Sequence, residues 1–75
     1  MTPEQCRAAR AMLSLSQDDL AAKTGVAKRT IAGFEMGESK PYQRTIAAMQ
    51  AALEAAGVVF LPENGNGPGV ALRKP

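Results

Sequence analysis

Through the first three quarters of the chain, apolar residues recur at the three-to-four-residue spacing of amphipathic helices, and short turn-forming runs divide them. "TPEQ" opens the first segment: Thr2 stands at the N-cap, Pro3 at the first helical position and Gln5 where a capping box takes an amide or acid, predicting a helix from about Pro3 to Leu13. "SQDD" repeats the signature, with Ser16 as cap, Asp19 closing the box and Asp18 favoured by the positive helix end. That second helix runs from about Gln17 to Thr24 and stops at Gly25. A third, over about 27–36, starts near Ala27, ends before Gly37 and buries Val26, Ile31 and Phe34 on one side. Pro41 disfavours a helical conformation at Lys40, and the fourth helix spans about Gln43 to Ala56, with Ile46, Met49 and Leu53 facing inward and Gly57 as its stop.

After Gly57 the period changes. "VVFL" is β-branched and aromatic, "PENGNGPG" is dense turn chemistry and "VALRK" alternates, which predicts two short strands joined by a loop. Val58, Val59, Phe60 and Leu61 are consecutive apolar residues where a strand covering one face of a domain would alternate, so a second covered face or edge is expected there. The turn between the second and third helices is too tight for them to lie antiparallel. Ala21 is small enough for a close crossing, Gly25 reverses the chain, and Val26, Ile31 and Phe34 bury the inner face of the third helix; together these describe a helix-turn-helix.

Size and composition narrow the class. A chain of 75 residues is expected to form one small domain, burying only roughly 60% of its unfolded surface. Cys6 is the only cysteine and there is no histidine, which excludes an internal disulfide, an ordinary zinc site and an imidazole base. No metal or cofactor is expected, and Met12, Met36 and Met49 read as packing or surface residues. Without a carboxylate pair in a pocket-forming context, an enzyme has no catalytic set. No apolar run approaches the ~20 residues of a membrane span, and Glu4 and Arg7 stand where a signal peptide would be apolar, so a soluble, reduced, cytoplasmic protein is expected. The net charge of +2 is concentrated: Lys28, Arg29, Lys40 and Arg44 face only Glu35 and Glu38 within 26–45, while charges balance on either side. A short basic region on a neutral body points to an anionic partner.

The stretch "LSQDDLAAKTGVAKRTIAGFEMGESKP", Leu15 to Pro41, carries the pattern S-Q-x-x-L-A…G-V-x-x-x-T-I-x-x-x-E-x-G and resembles the Xre/Cro-like helix-turn-helix family of small bacterial and phage transcriptional regulators. The resemblance implies a mainly α, four-helix, lambda-repressor-like domain over 1–57, with the tail, 58–75, outside the common family core. It places Ala27, Lys28, Arg29, Ala32 and Gly33 on the face presented to base edges. Gln17 matches a residue that holds a DNA phosphate, and Thr30, Lys40, Tyr42, Gln43 and Arg44 match positions that contact backbone phosphates. Arg10 and Glu35 match a pair that joins the first helix to the third. The family usually caps the third helix with Ser or Thr, and Ala27 cannot cap.

These readings lead to a sequence-specific, double-stranded DNA-binding regulator, nucleoid-associated through that binding, of its own operon or of a mobile element. An arginine can donate two parallel bonds to guanine, and small neighbours let the helix approach the bases, yet the readout per monomer is thin. A two-fold homodimer on a near-palindromic site is therefore expected, held by Val58, Val59, Phe60 and Leu61. The alternative is an antitoxin or anti-activator that works mainly through a second protein partner, with the apolar tail as its contact. No small-molecule effector is evident. "NGNGPG" lacks the strand-to-helix context of a phosphate cradle and reads as a hairpin loop.

Overall fold

A computed structural model of the chain describes residues 1–74; Pro75, the last residue of the predicted tail, lies outside them. The elements are α1 (Pro3–Leu13), α2 (Gln17–Thr24), α3 (Lys28–Glu35), α4 (Gln43–Ala56), β1 (Val58–Leu61) and β2 (Gly69–Leu72). Both expected capping boxes are formed. The Thr2 hydroxyl accepts from the Gln5 N–H while the Gln5 amide oxygen accepts from the Thr2 N–H, and Ser16 and Asp19 exchange the same two bonds at the start of α2. Gly25 ends α2 at φ 76°, a left-handed conformation that turns the chain within three residues into α3.

One core serves the whole described chain. Cys6 and Ala9 of α1, Leu20 of α2, Ile31 and Phe34 of α3, Ile46, Met49 and Leu53 of α4 and Val58 of β1 are all buried in it. The strands form an antiparallel hairpin with Val58 opposite Leu72, Val59 opposite Ala71, Phe60 opposite Val70 and Leu61 opposite Gly69, and Arg73 extends the ladder by donating to the Gly57 carbonyl. The strands pair within the chain, and the hairpin lies over α1.

The tail that follows Gly57 packs on the helices as part of the same core. Val58 is 1% exposed and shares a core with Met49 and Leu53, while Phe60 and Val70 pack against that core. Burying a side chain of this size contributes about 1.5–3 kcal/mol, so Val58 belongs to the monomer and is not free for a partner. On the outer face Val59 and Leu61 remain exposed, and nothing in the described chain covers them.

A buried amide ties the hairpin to α1. While the Gln5 oxygen closes the capping box, its nitrogen donates to the Gly69 carbonyl at 2.9 Å and reaches the Leu61 carbonyl at 3.4 Å. An acid at this position would satisfy the box equally well but would face two carbonyl oxygens with no proton to offer. Gln5→Glu is expected to lower stability at neutral pH by about 1–3 kcal/mol, the cost of an unsatisfied buried polar group, measured by urea unfolding; an unchanged midpoint would remove the amide's tethering role.

Candidate nucleic-acid interface

The last residue of α3 determines how that helix is held. Glu35 is 2% exposed, and its carboxylate takes hydrogen bonds from two other helices. The Arg10 guanidinium grips it with both prongs, Nε to Oε2 at 2.7 Å and Nη2 to Oε1 at 2.6 Å, while the Gln17 amide donates to Oε1 at 3.0 Å and the Cys6 thiol to Oε2 at 3.1 Å. Arg7 donates to the Glu35 main-chain carbonyl, satisfying an oxygen that the end of the helix leaves open. Among the described residues no buried side-chain nitrogen or oxygen lacks a partner.

Charge follows from this geometry. Burial pushes the Glu35 carboxyl upward, but the bonds from Arg10, Gln17 and Cys6 and the nearby Arg10 charge outweigh it and hold the group below the ordinary carboxylate range. The same carboxylate raises Arg10, through its hydrogen bonds ahead of the opposing cost of burial. The Cys6 thiol is pushed up to about 12, first by burial and then by its bond to Glu35, so it stays protonated at neutral pH and serves as a donor.

With its inner face fixed, α3 turns Ala27, Lys28 and Arg29 to solvent. Arg29 makes no hydrogen bond or ion pair among the described residues. Lys28 is placed differently: its ammonium lies 3.3 Å from Asp18 of α2, both side chains largely exposed. Ala32 and Gly33 are half-buried, and a Cβ built on Gly33 would come within 2.6 Å of the Ser39 hydroxyl oxygen. Gly33 thus allows the loop after α3 to fold back, its carbonyl accepting from the Glu38 and Ser39 N–H groups. Gln17 is spent in part on Glu35, and its amide keeps a second N–H for an outside acceptor.

Lys40 lines a cleft between the starts of α3 and α4. Ala27 and Thr30 from the start of α3, Lys40 from the connecting loop, and Tyr42 and Thr45 from the start of α4 line it. Neither helix start carries a side-chain cap, in contrast to α1 and α2, so partial positive charge of both N-termini borders one concavity. Arg44 stacks over the Tyr42 ring at 5.5 Å from its centroid, while Gln43 lines a separate crevice with Pro3 and Phe34. Thr30, Lys40 and Tyr42, which the resemblance matches to phosphate-contacting positions, line this one cleft. The sequence missed Asp18, Cys6 and Arg7, whose partners lie 10, 29 and 28 residues away on other helices, a distance at which spacing carries no signal.

The Arg10 and Glu35 pair is expected to couple by more than the ~0.2–1 kcal/mol of exposed pairs in a double-mutant cycle of alanine substitutions. Additive losses would reduce the two to independent surface charges. Because the Glu35 carboxyl is held low in the folded state, the stability it contributes is present above the ordinary carboxylate range and is lost as pH falls below it. Urea midpoints between neutral pH and pH 3 should fall less steeply for Glu35→Gln than for the wild type. Some slope should remain, since Asp19 and Glu63 are also held low, chiefly by backbone hydrogen bonds from Ser16 and from Gly67.

Among the described residues no helix is long and apolar enough to cross a membrane, and no group of three or more acidic or cysteine side chains is placed to hold a metal ion. A search of curated proteins finds no match to the chain. A helix-turn-helix family model matches residues 7–56, from α1 to the end of α4, and so covers more than half of the sequence. With four helices, a tight α2–α3 turn and an exposed basic start to α3, the chain belongs to the Xre/Cro-like helix-turn-helix family of DNA-binding regulators.

Proposed function

We propose that the protein reads a specific double-stranded DNA sequence by placing α3 in the major groove, and that it does so as a two-fold homodimer. The observation that carries this reading is Arg29: an exposed guanidinium, without a partner among the described residues, at the front of a helix whose other end is fixed by four hydrogen bonds to Glu35. Such a group is suited to bidentate bonding with guanine O6 and N7. The alanine methyls at 27 and 32 suit contact with a thymine methyl, whereas Gly33, expected to face the bases, has its open side against Ser39 and serves the loop after α3. Lys40, Thr30, Tyr42 and the uncapped starts of α3 and α4 suit a backbone phosphate in the cleft they border, and Arg44, Gln43 and the free N–H of Gln17 suit further phosphates elsewhere on the same duplex.

One arginine per monomer discriminates few base pairs, which favours a symmetric pair of subunits whose reading helices enter successive major grooves ~34 Å apart. The exposed outer face of the hairpin supports the same reading. Val59 at 41% and Leu61 at 42% exposure lie side by side on it, and two copies of that face related by a two-fold axis would cover both. Control of its own operon or of a mobile element is the regulatory role we assign. The antitoxin or anti-activator reading rests on the same apolar face and assigns it to a different protein.

Arg29→Ala is expected to lose about 1–3 kcal/mol of binding to a duplex selected from a random pool while keeping weak binding to other sequences. Arg44→Ala should weaken all sequences alike and reduce the salt slope by about 1. Equal binding of every sequence by wild type and Arg29→Ala would rule out α3 as the reader. For the dimer, sedimentation of the intact chain at tens of micromolar should show a two-subunit species that the exposed-site variant Val59→Lys/Leu61→Lys converts to a folded monomer. A wild-type monomer that binds an asymmetric half-site tightly would transfer the hairpin face to another protein partner.

A further inference from the structure

The reading surface contains an acidic residue where it will face a polyanion. Asp18 is the second residue of α2, directly after Gln17, and its carboxylate meets the Lys28 ammonium at 3.3 Å across the gap between α2 and α3. Asp19 beside it is committed to the capping box; Asp18 makes no capping bond, and Lys28 is its one hydrogen-bond partner among the described residues. Side-chain exposures of 57% for Lys28 and 73% for Asp18 mean that the pair adds little to stability. Helix dipole preference accounts for an acid at this position but not for its being matched to a cation on the reading helix.

We infer that Asp18 is a specificity-determining residue of the DNA-binding surface, acting by withholding Lys28 from backbone phosphates. The inference rests on the DNA-reading role proposed above. On arbitrary DNA, binding is almost entirely phosphate neutralisation, and a free lysine on the leading edge would add one such contact to every site. Breaking so exposed a pair costs little, but a Lys28 that reaches a phosphate leaves the Asp18 carboxylate uncovered beside the polyanion, and that repulsion offsets the contact on arbitrary sequences. On the matching sequence α3 is fully seated, Arg29 supplies the base contact, and Lys28 remains with Asp18. Discrimination therefore depends on Arg29 to a greater degree than the count of cations on α3 would indicate.

The experiment compares wild type, Asp18→Asn, Lys28→Ala and Asp18→Asn/Lys28→Ala on two duplexes, one selected from a random pool and one of scrambled sequence, over a range of salt. Asp18→Asn should tighten binding to the scrambled duplex about five- to tenfold near 0.1 M salt and steepen its salt slope by about 0.9, the signature of one added phosphate contact. The selected duplex should change by about twofold or less. In the Lys28→Ala background the gain on scrambled DNA should vanish. Equal gains on both duplexes, or the same gain without Lys28, would overturn the inference and leave Asp18 as a general negative charge. If wild type binds neither duplex, the DNA-reading role falls first and the inference with it. Thermal unfolding followed by circular dichroism confirms that each variant is folded before binding is measured.

Discussion

A carboxylate buried at the carboxyl end of a helix is doubly unfavourable, since it is removed from water and sits where the helix dipole is negative. Glu35 occupies such a position, and most of the molecule's polar organisation follows from it. The donors come from α1 through Cys6 and Arg10 and from α2 through Gln17, with Arg7 covering the main-chain carbonyl. An apolar residue could fill the same volume at similar or lower cost in stability. What it would lack is direction. The planar guanidinium and the two carboxylate oxygens fix an angle between α1 and α3, and the angle of α3 determines where Arg29 points.

The parts of the fold governed by short-range chemistry were legible in the sequence. Thr2 with Gln5 and Ser16 with Asp19 reach only three residues along the chain; α1 and α2 begin at these caps, and α2 and α4 stop at Gly25 and Gly57. Arg10 and Glu35 came from a family resemblance, which supplied a contact that spacing alone does not. What stayed hidden depends on which faces meet. A change of period after Gly57 announces strands but does not say that Val58 enters the helical core, so the tail read as a separate segment. Gln5 reads as a cap residue because its second role involves carbonyls in a hairpin far along the chain. Lys28 reads as a free cation because Asp18 approaches it only once α2 and α3 have crossed.

The four helix starts divide into two kinds. Those of α1 and α2 are closed by side chains, and those of α3 and α4 have none. A closed start saturates its own N–H groups, whereas an open one leaves them for water or an anion. The open pair borders the cleft that Lys40 lines, and the closed pair supplies the residues that grip Glu35. Structural rigidity and availability for a ligand are thus assigned to different helices of the same small domain.

The bond from Gln5 to Gly69 joins residues 64 positions apart, so the two ends of the described chain meet in one seam. The α2–α3 turn closes over a few residues and can form as soon as that segment exists. The seam between α1 and the hairpin closes a much longer loop, at a correspondingly larger entropic cost. The hairpin thus braces α1 from the far end of the chain, while α3 is held by bonds from Cys6, Arg10 and Gln17 that span no more than 29 residues.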